Sequence, residues 1–362
     1  MPTALIRTRR LPALLVVAAG AMSLLAACSG GSSESPTPVA DVSQPTVIEP
    51  AKGAPPAPAA PPRWPLTGVA ATDMPVRPSL AVKIENSGEA RPQTGLDEAD
   101  NVWEEVVEGG ISRFVAVYHS KVPAEVGPIR SVRPMDPAIV APMHGLIAFS
   151  GGQPGFVNEL KAAGIQTISQ DAGAAGFYRK KGVAPAPHNV YGTPETFWSQ
   201  ADAEHSATPP TQFVFAKKAE SASAVVSGSP AGTVSVKLSG YAKPTWSWDA
   251  PSSTYLRSEG TTPAVVRTGA RMAATNIVTL SVQLVNSGTF DPAGNPVPET
   301  VLEGTGDGTL SSGGKSVPVR WAKGSVGEVL TLATADGAPA TLAPGVTWIE
   351  LVPVGSGSVT MG

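Results

Sequence analysis

Residues 95–119 read GLDEADNVWEEVVEGGISRFVAVYH, and how this stretch divides decides the fold. Leu96, Ala99, Val102, Trp103, Val106 and Val107 recur at helical spacing, and Gly109-Gly110 ends the pattern, so 95–110 is predicted as a helix. ISRFVAVYH (111–119) then reads as a strand apolar on both faces. Working outward, LAVKIEN (80–86), GLIAFSGG (145–152) and IQTIS (165–169) are further strands, and FVNELKAAG (156–164) is a short helix closed by glycine. Strands alternating with helices predict an α/β N-terminal domain over 64–209, its sheet covered on both faces.

Beyond Pro209-Pro210 the helical period fades. Short β-rich runs follow: TQFVFAKK (211–218), GTVSVKLSG (232–240), PTWSWDA (244–250), STYLRSEG (253–260), NIVTLSVQLV (276–285), SVPVRWAKG (316–324) and VTWIELVP (346–353), with turn signals at Asp291-Pro292, Gly294-Asn295 and Gly306-Asp307-Gly308. They predict a mostly antiparallel β C-terminal domain over 210–355, a sandwich or a partly closed barrel, with 356–362 as a tail. The class overall is α+β.

Toward the N-terminus, Arg7, Arg9 and Arg10 precede an apolar run from Leu11 to Ala27, and Leu25-Ala26-Ala27-Cys28 matches the bacterial lipobox. Residues 1–27 are expected to be a lipoprotein signal peptide, with Cys28 acylated by palmitate-type chains and anchoring the protein on the extracytoplasmic face of the cell membrane. Cys28 is the one cysteine of 362 residues, which leaves no disulfide and no thiolate metal site. Residues 28–63, rich in Pro, Ala and Ser, are expected to form a disordered tether. Cleavage removes three of 26 basic residues and none of 29 acidic ones, moving the formal charge from −3 to −6 and arguing against a nucleic-acid partner.

Candidate chemistry gathers between Glu104 and Arg133. Arg113 lies on an apolar strand, and a buried guanidinium needs a carboxylate, which Glu104 or Glu108 could supply. VGPIRSVRP (126–134) carries Arg130 and Arg133 between Pro128 and Pro134, a stiff loop whose guanidinium forks suit carboxylate or phosphate oxygens. Two readings stay open: the arginines hold an anionic ligand, or they pair with the glutamates in a structural network. In APAPHNVYGTPE (184–195), His188 and Asn189 are either ligand donors, with His188 an acid/base group beside Glu104 or Glu108, or ordinary loop residues. Ser150 in FSGG lacks the G-x-S-x-G context of a nucleophile, and TGDGTLSSGGK (305–315) has the flanks of a hairpin turn, not of a phosphate loop. Trp246 and Trp248, alternating on one strand face, fit a core or a carbohydrate platform. No metal or cofactor motif is present; His119, His144, His188 and His205 never fall at ligand spacing.

The run SLAVKIENSGEARPQTGLDEADNVWEEVVEGGISRFVAVYHSKVPAEVGPIRSVRP (79–134), with Gly151-Gly152, Pro187-His188-Asn189, YLR, NIV, VRW and TWIELVP, resembles the YerB-like family of bacterial lipoproteins over roughly residues 73–354. The resemblance implies a two-part exported domain without an assigned reaction, and its pattern falls on Arg91, Glu104, Glu108, Arg113, Arg130, Arg133, His188 and Asn189. This chain departs from it at Trp103 and at Phe149-Ser150. Together these observations favour a non-catalytic protein binding an anionic cell-wall polymer or an envelope protein, against the alternative of a cell-wall-acting enzyme using His188 with a glutamate.

Overall fold

The structure, a computed structural model, describes residues 61–362. The signal peptide, Cys28 and all but the last residues of the expected tether lie outside them. In chain order the strands are β1 (Leu80–Glu85), β2 (Asn101–Val106), β3 (Ser112–Tyr118), β4 (Leu146–Phe149), β5 (Gln166–Ser169), β6 (Phe177–Arg179), β7 (Val190–Gly192), β8 (Ser229–Pro230), β9 (Thr233–Lys237), β10 (Pro244–Asp249), β11 (Thr254–Glu259), β12 (Thr262–Pro263), β13 (Ala273–Ala274), β14 (Asn276–Phe290), β15 (Pro296–Val301), β16 (Gly304–Ser312), β17 (Lys315–Lys323), β18 (Thr331–Ala333), β19 (Thr347–Pro353) and β20 (Ser358–Met361). Four short α-helices accompany them: α1 (Asp136–Val140), α2 (Pro154–Ala162), α3 (Pro194–Trp198) and α4 (Ser223–Ser227).

A 12-stranded mixed sheet runs β18-β17-β16-β14-β19-β2-β3-β1-β4-β5, with β15 on β14 and β8 on β17. Strands from both predicted halves share it, joined where β19 pairs in parallel with β2. An antiparallel sheet, β12-β11-β10-β9-β20 with β13 on β11, covers one face. The class is α+β, as expected.

Alternation along each strand builds two cores. Ala81, Trp103, Val115, Ile147 and Ile349 face α1 and α2, which contribute Ile139, Val140, Phe156 and Leu160. Val82, Val102, Phe114, Ala148 and Trp348 face the second sheet and its Val234, Trp246 and Tyr255. With about 25 cal/mol per Å² of apolar surface removed from water, these two layers are the main stabilising contribution.

Several expectations about the elements are corrected, among them the turn expected at Gly306-Asp307-Gly308, which lies within β16. Residues 101–106 are a strand, not a helix. The helical stripe was misleading because Glu104 and Glu105 are both buried, one on each sheet face, so the period of two is hidden by charged residues that have internal partners. TQFVFAKK makes one isolated bridge, Phe215 to Leu342, and no strand. The expected tail supplies β20, paired with β9.

Candidate functional site

The VGPIRSVRP segment fills a fork in the main sheet. β1 and β4 pair in parallel only as far as Val82 and Ala148. Beyond that point the loop enters: Arg130 N–H donates to the Lys83 carbonyl, Glu85 N–H to Pro128, Ser150 N–H to Arg130 and Val132 N–H to Gly151. The loop's backbone thereby satisfies the groups that the diverging strands leave unpaired. Two glycines permit the fit. A Cβ on Gly127 (φ 153°) would stand 2.7 Å from the Tyr191 ring, and one on Gly151 (φ 92°) would stand 2.4 Å from Ser131 Oγ.

On the sheet face toward α1, the aligned residues Glu85, Arg113 and Glu105 form a polar row across β1, β3 and β2. Lys83, two residues before Glu85, pairs with Glu105 and with Asp136, 2.6 Å away, all three fully buried. Burial and the Asp136 charge raise the Glu105 carboxyl to about 8 despite Lys83.

The two loop arginines have different fates. Arg133, 8% exposed, donates from Nε and Nη2 to Glu108 at 2.6 and 2.7 Å and from Nη1 to the Val132 carbonyl. Each of its three nitrogens already has an internal acceptor, so it stands at the cleft chiefly as the partner of Glu108 and not as the open donor expected from the sequence. The Arg130 side chain is 21% exposed; its Nε lies 3.3 Å from Glu85 Oε2, too poorly aligned for a hydrogen bond, and neither Nη has a partner among the described residues. Arg113, at 5% side-chain exposure, donates Nη1 to the Ser131 carbonyl, lies 4.0 Å from Glu108, and leaves its Nε unpartnered. Burial and the neighbouring Arg133 lower its pKa to about 10.

These three guanidinium groups line a cleft of about 380 Å³ with Glu108, Gly109, Ile111, Ser131 and, from the β14–β15 hairpin, Asp291, Pro292 and Asn295. His188 and Asn189 do not line it. His188 Nδ1 stands 2.8 Å from Glu85 Oε1, which also accepts from Ser87, so Glu85 links His188 to Arg130. Asn189 instead accepts from Arg179 at the surface.

The carboxylate in reach of His188 is therefore Glu85. Glu108 belongs to Arg133, and Glu104 lies on the opposite sheet face, 2.8 Å from Arg257, with Ser112 as a second partner. That removes both from the proposed acid/base pair. Glu85 was missed by the sequence, although a glutamate ending the otherwise apolar LAVKIE strand, behind a lysine, was the available signal. Ser150 donates to Gln170 and has no histidine partner among the described residues. Trp246 is core, donating to Glu350. Among the described residues no group of His, Cys, Asp and Glu could hold a metal.

Comparison with known proteins places this architecture. Two family profiles match, "Protein of unknown function (DUF3048) N-terminal domain" at 66–207 and the corresponding C-terminal domain at 234–349. "Putative lipoprotein YerB" of Bacillus subtilis (strain 168) is 35% identical over 130 residues, covering 35% of this chain and 39% of that protein's length. The crystal structure of YerB from Bacillus subtilis superposes with a TM-score of 0.69 at 25% identity, covering 82% of this chain and 99% of that one.

Proposed function

The chain belongs to the DUF3048 family, and from that premise we propose that it is a lipid-anchored, extracytoplasmic protein that binds an anionic group of a cell-envelope ligand through Arg130, without catalysis. The anchor is supported by the lipobox at Cys28 and by a relative named as a lipoprotein. Among the described residues no helix is long and apolar enough to cross a membrane. The observation that carries the binding reading is Arg130, on a braced loop: its Nη groups have no protein acceptor among the described residues, and its buried Nε, like that of the neighbouring Arg113, makes no hydrogen bond there. The two buried Nε donors are costly to leave unpaired, and the partly exposed Nη groups of Arg130 are open to an incoming acceptor. Arg133 holds Glu108 in place.

Wall fragments bearing carboxylate or phosphate should bind the full-length chain in detergent micelles, and Arg130→Ala should weaken that binding about tenfold or more, the worth of one charge-assisted contact. Unchanged calorimetric affinity in a folded Arg130→Ala variant ends the proposal.

The enzyme alternative rests on one contact, His188 held by the buried Glu85 at 2.8 Å, the arrangement that orients an imidazole for proton transfer. It requires turnover of wall material that His188→Ala abolishes. A wild-type chain that releases no product leaves binding alone.

A further inference from the structure

The chemistry around the arginine cleft selects among anions. Three guanidinium groups face three carboxylates: Glu108 and Asp291 on the lining, and Glu85 behind Arg130. Such a balanced site has donors to offer but little surplus positive charge. A phosphate monoester brings a second negative charge near neutral pH, and here it would stand beside Glu108 and Asp291. A carboxylate brings one charge and a planar pair of oxygens, the shape that a guanidinium edge with two free Nη groups accepts.

A second depression adjoins the cleft. It measures about 330 Å³, shares Glu108 and Gly109 with the cleft and is lined by Leu238, Leu284, Pro296 and Pro298. Gly109, exposed and at φ 69°, separates the two without a side chain, and a Cβ there would meet nothing within 4 Å. A ligand spanning both would cross bare backbone at Gly109. Each part has a volume near the lower end of the usual range for small-molecule pockets.

We propose that the site takes a free carboxylate at the end of a peptide-like chain, with the oxygens on Arg130 and Arg113 and the terminal apolar side chain against Leu284 and the two prolines. This rests on the anion-binding reading and narrows it. Asp291 acts as the specificity-determining residue. Its carboxylate is held by Asn295 and by the backbone N–H groups of Ala293 and Asn295, so it stays in place as a fixed negative rim.

The test uses the full-length chain in micelles and four probes: N-acetyl-Ala-Leu, its C-terminal amide, acetate, and inorganic phosphate. The free acid should bind, the amide about tenfold or more weaker, and phosphate should fail to displace the acid. Asp291→Asn should raise phosphate affinity by about two- to fivefold, the range of an exposed charge interaction. Leu284→Ala should weaken the dipeptide by about tenfold while leaving acetate unchanged. Phosphate displacing the dipeptide on equal terms overturns the carboxylate assignment and leaves the anion site standing. Equal binding of acid and amide, or binding of no anion, overturns both. A silent Leu284→Ala overturns the path across Gly109, and circular dichroism of each variant separates lost binding from lost fold.

Discussion

Arg130 and Arg133 are three residues apart on one loop, yet a single carboxylate separates their roles. Glu108 reaches Arg133 with both oxygens, and the pair is nearly sealed from solvent. Arg133→Ala should cost about 3 kcal/mol, because it removes both charge-assisted bonds to the mostly buried Glu108 and leaves it only the more distant Arg113. Arg130→Ala should cost only about 1 kcal/mol, since its side chain is partly solvated and Glu85 keeps Ser87 and His188. Urea denaturation of the two variants measures the difference, and equal losses would show that Arg130 is structural too. Nothing in VGPIRSVRP distinguishes the two side chains. Proline spacing announces a stiff loop; which guanidinium meets an internal acceptor depends on Glu108, 25 residues away along the chain.

At the scale of elements, β1, β2 and β3 carry a charged row where strand pattern leads one to expect hydrocarbon. Burial and the nearby Asp136 charge raise the Glu105 carboxyl, so its folded pKa of about 8 stands above its unfolded value of 4.5. The native state then binds the proton more tightly, and the contribution of this group is complete below pH 4.5 and is lost as pH rises toward and through 8. Glu105→Gln should flatten that limb of the stability–pH curve, as measured by urea midpoints between pH 5 and 9; an unaltered limb would assign the proton to another group. The inserted loop makes a second element-scale prediction. Gly127→Ala should destabilise by about 1–3 kcal/mol, since the methyl group meets the Tyr191 ring and the backbone is one that alanine avoids. β3, β4 and α2 were legible because their apolar residues follow simple periods. β2 was not, because Glu104 and Glu105 look solvated to any rule that equates charge with surface.

Across the whole molecule, Arg257 fastens the second sheet to the main one. Fully buried on β11, it pairs with Glu104 of β2 at 2.8 Å, Glu350 of β19 at 3.1 Å and Glu259 on its own strand, while Trp246 donates to Glu350. Burial and the adjoining Glu104 raise the Glu350 carboxyl well above the ordinary range. Arg257→Met should cost about 3–5 kcal/mol by removing the cation that Glu104, Glu259 and Glu350 share. Hydrogen exchange should show protection lost first in β9–β11; uniform loss over the chain would mean that the two sheets unfold as one unit whatever joins them.

The order of residues along the chain was enough to establish the α+β class, most strands, the lipobox and the stiffness of the arginine loop, because each follows from local periodicity, turn chemistry or composition. Only the tertiary structure decided that β19 lies beside β2, that His188 answers to Glu85, and that Arg130 stays open while Arg133 does not. Those outcomes depend on pairing a buried charge with a counter-charge from a distant segment, and the energy of such a pair is set by separation in space and exclusion of water, neither of which is written in the neighbouring residues.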